Sequence, residues 1–266
     1  MLHGWIPPAR FFAYLTAAEI DTLPDKTDVV LLQPVAAIEQ HGPHLPIAVD
    51  TAIVMGVLGA ALAKLPSDVP CYCLPPICYG KSNEHVRFAG TVSVDATTLI
   101  ELLSQVAESV YRMGFRKLAF VNSHGGQPQI VQIAARDARA RHEDFTLFPL
   151  FVWNVPNNAA ALLAPKELEH GIHAGAAETA LMMALLPEQV RSHRLVREYP
   201  PPLPGGSMLS LEGALPYAWL THDLSRSGVI GDATAATPAL GALLLDSLAT
   251  GWATLIAELH RFRHPT

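Results

Sequence analysis

Short apolar runs alternate with segments of helical period along most of the chain, and no linker divides them. Residues 29–35 (VVLLQPV) make a compact apolar run of the length a buried strand takes. A helical segment begins at Asp50 and stops at Pro66. Residues 71–77 give a second strand. Asp95 then caps a helix in which Leu99, Leu102, Leu103, Val106, Val110 and Met113 recur with the helical period, and Gly114 lies just past its end. A strand at 118–121, a helix at 130–141, a strand at 145–152 and a helix at 178–186, stopped by Pro187, continue the series. This order implies an α/β fold: a mostly parallel sheet with helices on both faces. With 266 residues the chain suits one large domain over 1–266.

In such sheets ligands sit beyond the carboxyl ends of the strands, so residues with chemistry should fall in the turns that follow them. They do. Glu39-Gln40-His41-Gly42-Pro43-His44-Leu45-Pro46 follows the first strand, and Asp50 opens the next helix. Glu39 and His41 alternate and so project to one side of an extended segment, while Gly-Pro turns the chain so that Asp50 can return. Glu, His and Asp together suit a divalent ion such as zinc, iron or manganese. Asn122-Ser123-His124-Gly125-Gly126-Gln127 follows a later strand, and its imidazole suits coordination. It matches neither the dinucleotide nor the Walker fingerprint. His170-Gly171-Ile172-His173, with Glu178 five residues further, and Gly80-Lys81-Ser82-Asn83-Glu84-His85 add imidazoles and carboxylates. Of twelve histidines, His41, His44, His85, His124 and His173 occupy these turns. Convergence of four segments points to a metal site.

Composition narrows the classes. Half the residues are hydrophobic and 16% are charged, which excludes a disordered chain. The net charge of −6 and the lack of a basic run argue against a nucleic-acid partner. Cys71, Cys73 and Cys78 are odd in number and too local for a disulfide framework, so they read as small apolar residues in a reducing compartment. The N-terminus lacks the pattern of a signal peptide, and unbroken apolar segments such as 52–62 and 239–245 fall short of a membrane span. A cytoplasmic protein with no membrane partner is expected. The Pro- and Gly-rich stretch 197–220 reads as a solvated loop, with a cleft or subunit cover as the other reading. Trp153, Trp219 and Trp252 read as packing or interface residues, Trp153 being notable for following a strand. His142, His260 and His264 read as solvated.

The EQHGPHLP block with Asp50, the stretch 80–94 (GKSNEHVRFAGTVSV), Asn122 to Gly126, His173-Ala174-Gly175 through Glu178-Thr179, and Gly228 to Asp232 together resemble the creatininase (creatinine amidohydrolase) family. The likeness covers most of the chain. It implies a three-layer α/β/α sandwich and homo-oligomers, often hexamers. It also implies a metal-dependent attack on a carbon–nitrogen bond. By position, Glu39, His41, Asp50 and His124 resemble the family's metal ligands, with Asp50 able to bridge two ions. His173 resembles the catalytic histidine, and Glu178 lies in the family's ET signature as a catalytic or supporting residue. Creatininase itself carries a metal-binding Glu at the position of Gly126. A second ion here therefore lacks one ligand, or a single ion is held. The Gly-Gly turn is nearer to branches that include a formamidopyrimidine deformylase and a peptidase maturing the mycofactocin peptide.

The expected activity is hydrolysis of a small amide, cyclic amide or formamide, a bond other than a peptide bond, by water activated on one or two divalent ions (Zn, Fe or Mn). His173 would stabilise the oxyanion or protonate the leaving nitrogen, with Glu178 or Glu84 orienting it or relaying the proton. The alternatives are a metallopeptidase of the mycofactocin-maturation type and a non-catalytic metal-binding protein.

Overall fold

The computed structural model describes residues 1–264. Four parallel strands, β1 (Val30–Val35), β2 (Cys71–Cys73), β3 (Lys117–Asn122) and β4 (Thr146–Phe151), form a sheet in the order β2-β1-β3-β4. Val35 pairs with Asn122, and Asn122 with Phe151. The carboxyl ends of the three longer strands are therefore level, and the segments that leave them emerge along one edge. The pattern predicts 71–77 as strand, but the ladder ends at Cys73. Pro75 and Pro76 bring no N–H, and pairing resumes only where Ile77 N–H donates to the Pro34 carbonyl at 3.0 Å.

The helices α1 (Val49–Lys64), α2 (Ala96–Arg112), α3 (Pro128–Arg141), α4 (Ala176–Leu185) and α5 (Pro238–Arg261) cover the sheet. Alternation along β1 separates the two faces. Val30 and Leu32 pack with Ile53, Val57, Leu181 and Leu248, whereas Leu31 packs with Leu103, Val110 and Ile130. Helices α1, α4 and α5 thus lie on one face and α2 and α3 on the other, a three-layer arrangement. On α2 the buried stripe runs Leu99, Leu103, Ala107 and Val110, while Leu102 is exposed. Asp95 stands at the N-cap of α2 without a side-chain capping bond, contrary to the expected cap.

Helix α5 goes unrecognised when only unbroken apolar runs are counted, because Asp246 and a series of Thr and Ser residues interrupt it. Its 24 residues are long and apolar enough, by length and composition, to cross a bilayer. Here Leu244, Leu248, Trp252, Ile256 and Leu259 are buried against α1 and α4. Gly241 permits the closest approach: a Cβ there would lie 1.8 Å from the Ala180 carbonyl oxygen.

A small antiparallel pair, β5 (Arg197–Glu198) with β6 (Gly231–Asp232), stands apart from the main sheet. Between them the Pro- and Gly-rich stretch is mostly irregular, yet Leu211, Tyr217 and Trp219 from it line a cavity. Residues 201–209 are largely exposed, as a solvated loop requires, while part of 211–220 borders the cleft.

Candidate metal centre

The level carboxyl ends of β1 and β3 deliver the first two groups. After β1 the chain runs through Glu39 and His41 and turns into α1, whose second residue is Asp50. After β3, Asn122 Oδ1 accepts the His124 N–H at 3.1 Å and its Nδ2 donates to the His124 carbonyl at 2.7 Å, fixing the bend that carries His124. His173 is held by an isolated antiparallel bridge to Ile230, and Glu178 stands in the first turn of α4, its Oε2 accepting the Ala174 N–H at 2.6 Å. Seven of the residues singled out in the sequence meet: Glu39, His41, Asp50, Glu84, His124, His173 and Glu178.

His41 Nδ1 donates to the Glu39 carbonyl at 3.1 Å, so in the neutral ring Nε2 carries a lone pair. That nitrogen lies 3.9 Å from Glu39 Oε1, 3.8 Å from Asp50 Oδ1 and 3.8 Å from Glu178 Oε2. On the other side, His124 Nδ1 lies 3.1 Å from Glu39 Oε2 and 3.8 Å from Asp50 Oδ2. Asp50 thus turns one oxygen to each imidazole. His173 Nε2 donates to the Gln40 carbonyl at 2.7 Å, leaving Nδ1 to face Glu39 Oε1 at 3.7 Å.

Electrostatics mark the cluster as short of positive charge. Burial, aided by the neighbouring His173, holds His41 well below the usual imidazole value. His124 goes the other way: burial opposes its charge, but Glu39, Glu84 and Asp50 outweigh burial and push it well above. Burial and the adjacent Glu39 push Asp50 well up. Burial also acts on Glu39, but His124, His85 and His173 hold its carboxyl well below the usual range.

The donor set fits divalent ions. Glu39 Oε2, His41 Nε2 and Asp50 Oδ2 are buried without a hydrogen-bond partner, which is costly unless something else satisfies them. Two ligands each about 2.0–2.2 Å from one ion stand at most about 4.4 Å apart, and the separations around His41 Nε2 meet that bound. Donor atoms of Glu39, His41 and Asp50, of Glu39, Glu84 and His124, of Glu39, His85 and His173, and of His41, His173 and Glu178 each lie within 4.8 Å of one another. Two adjacent positions sharing Glu39 and Asp50 are consistent with a binuclear centre.

Several residues were not assigned roles by sequence reasoning. His85 Nδ1 accepts from Gln40 Nε2–H at 2.9 Å and lies 2.9 Å from the Thr221 hydroxyl; its Nε2 faces Glu39 Oε1 at 3.7 Å. Gln40, inside the conspicuous motif, also donates to the Gly228 carbonyl. Glu167 accepts the main-chain N–H groups of Ala176 at 2.6 Å and Asp232 at 2.9 Å, joining the segments either side of His173. A lone Glu on a charged helix offers no sequence signal for that. His44 is not part of the cluster: it is buried, with Nε2 2.8 Å from the Thr179 hydroxyl. His142 and His260 are not simply solvated either. His142 lies 2.7 Å from Glu108 Oε2, and His260 Nδ1 donates to the Asp28 carbonyl at 2.9 Å.

The cluster forms the floor of a cavity of about 890 Å³, with Phe151, Trp153, Leu163, Ile172, Trp219 and Leu220 among its apolar walls. Trp153 and Trp219 are wall residues, unlike Trp252, which is fully buried in the core.

Fold and site together define an α/β protein with a buried His/Glu/Asp centre of the kind that holds divalent metals. The creatininase family model (creatinine amidohydrolase) matches residues 13–256, and the chain belongs to that family. It is 31% identical over 229 residues to a mycofactocin precursor peptide peptidase of Mycolicibacterium smegmatis, covering 85% of this chain and 84% of that protein. With the creatinine amidohydrolase of Pseudomonas putida it shares 29% over 268 residues, covering 93% and 96%. A crystal structure of creatinine amidohydrolase superposes with a TM-score of 0.78 at 26% identity, covering 96% of this chain and 99% of that one. Creatininases described as a Zn–Zn type and as a Mn form each superpose at 0.76, with 26% identity. The first covers 93% of this chain and 97% of its own, the second 94% and 98%.

Proposed function

We propose that the protein is a metal-dependent hydrolase that cleaves an amide near the end of a short peptide. The observation that carries this reading is a metal-type donor cluster lying open on the floor of a large, apolar-walled cavity. Glu39, Asp50, His124, His173 and Glu178 all reach that cavity. A structural metal is normally closed off by four protein ligands, whereas a catalytic one keeps an open position. At about 890 Å³ the cavity is in the range that takes ligands of drug size, and a small cyclic amide would leave most of it unfilled. The likeness to mycofactocin precursor peptidases at 31% and 35% identity supports a peptide over the small amide that motif reading alone places first.

Glu39, His41, Asp50 and His124 would hold the ions, with Glu39 and Asp50 shared between two positions. The chemistry that divalent ions supply there is Lewis acidity, which polarises an amide carbonyl and acidifies water. The remaining roles belong to the chain. His173, its Nε2 committed to the Gln40 carbonyl, works through Nδ1 and gives a proton to the leaving nitrogen. Glu178, oriented by the Ala174 N–H and raised in pKa by burial, takes up the proton released by the attacking water and passes it to His173 Nδ1, which delivers it to the leaving nitrogen. The apolar walls exclude water and seat the peptide's side chains.

The test is turnover on a panel of short peptides, cyclic amides and formamides with zinc- or manganese-loaded protein. Faster cleavage of peptides than of formamides and creatinine is the expected result. The reverse order overturns the peptide assignment, and no turnover of any amide overturns the hydrolase assignment.

A further inference from the structure

We propose that Glu84 is a positioning residue for His124, and that residue 126 carries no side chain because Glu84 occupies the space one would need. This builds on the metal-centre reading above. Glu84 arrives from the 3-10 turn Asn83–His85, and Gly126 from the turn after β3. A Cβ on Gly126 would lie 1.8 Å from Glu84 Oε1 and 2.5 Å from His124 Nε2. Gly126 does not have a positive φ, so space and not backbone conformation requires the glycine.

Lys81 grips both partners. Its carbonyl accepts the His124 Nε2–H at 3.0 Å, and its Nζ lies 3.1 Å from Glu84 Oε2. The other carboxylate oxygen, Glu84 Oε1, is buried, has no hydrogen-bond partner of its own and lies 3.1 Å from His124 Nε2. With the outer nitrogen engaged, the ring presents Nδ1 to Glu39 and Asp50. The Lys81 carbonyl fixes the tautomer, and the Glu84 carboxylate behind the imidazole raises its basicity and holds its orientation, an outer partnership worth about 10–100-fold in metal affinity. The structure makes a side chain at 126 and Glu84 in its present seat mutually exclusive.

The experiment compares zinc binding by apo protein, in competition with a chromophoric chelator, for the wild type, Glu84→Gln, Gly126→Ala and the double variant. Glu84→Gln is expected to weaken zinc by about 10–100-fold. Gly126→Ala, by expelling Glu84, should weaken it similarly, and the double variant should be no weaker than the worse single one, the mark of coupled sites. The visible spectrum of the cobalt(II) form should shift in both single variants, while thermal unfolding of the apo proteins stays unchanged for Glu84→Gln. Equal zinc affinity in Glu84→Gln, or losses that simply multiply, would overturn the proposal. Loss of one whole ion from Glu84→Gln would also overturn it, making Glu84 a ligand. If the wild type itself takes up no zinc, the metal-centre reading fails first and visibly, before any variant is compared.

Discussion

His41 is aimed by its neighbour two residues back: Nδ1–H donates to the Glu39 carbonyl, and Nε2 is thereby presented to the carboxylates of Glu39, Asp50 and Glu178. Such an unprotonated nitrogen among three carboxylates is satisfied by a cation. His41→Ala is expected to lower zinc affinity by at least about 10-fold, no less than the loss of an outer-shell partner costs. Chelator competition measures it, and unchanged affinity would remove His41 from the ligand set.

His173 offers the contrasting case. Its Nε2 is committed to Gln40, and Nδ1 faces the cavity side of Glu39. His173→Ala should keep its metal and lose turnover by about 10²–10⁴-fold, the usual contribution of a positioned acid or base. Metal content and kcat measured on one preparation separate the roles; a variant that loses its ions shows His173 to be a ligand.

Removing the metal should destabilise the fold as well as silence it. Ions that bind only the folded chain stabilise it by about 2.7 kcal/mol at one hundred times Kd. Stripping them should therefore lower the melting temperature by about 5–10 °C for a chain of this size. Calorimetry before and after dialysis against a chelator gives the answer, and identical melting curves would count against tight binding.

Trp219 donates its indole N–H to the Leu211 carbonyl at 2.9 Å and contributes its ring to the cavity wall. Trp219→Ala removes apolar contact worth about 1.5–3 kcal/mol, so kcat/KM for a peptide that reaches the wall should fall about 10–100-fold. A formamide too small to reach it should react at the wild-type rate. Equal losses on both substrates would mean that the tryptophan supports the fold and not the substrate.

His44 sets an acid limit on stability. Burial, helped by His173, pushes its pKa down to about 4 from an unfolded value of 6.5. Its Nδ1 is buried with no partner, so a proton there finds no acceptor. A depressed folded value means that the unfolded chain binds the proton more readily. The stabilising contribution is complete above pH 6.5 and is lost as pH falls towards 4. In urea unfolding followed across that window, His44→Gln should show a shallower decline than the wild type. Parallel curves would show that other groups govern the acid limb.

The sheet was legible because its strands are short apolar runs, and the ligand-bearing turns because polar residues collect immediately after them. Other features depend on contacts that no local pattern announces. The early end of β2 follows from two prolines whose effect on pairing depends on register. Helix α5 escapes an apolar-run search because Thr, Ser and Asp residues break its sequence while its buried stripe continues. In the site, Glu39, His41 and Asp50 stand close together in a dense motif and were readable there. Glu84 and His124 meet only because a glycine leaves room between turns that are distant along the chain, and Glu167 acts through main-chain groups that a side-chain pattern cannot reveal.

Asp50 and Glu178 stand at the beginnings of α1 and α4, and both helices lean on α5, which comes so near α4 at Gly241 that one added carbon would strike a carbonyl. The gap between those two acids is thus inherited from a strut that lends the cavity no atom. Bulk added at the rear of the molecule would act as a wedge, levering one carboxylate away from the other while leaving every residue at the front untouched. The reach of the front groups for their ions is consequently adjustable from behind.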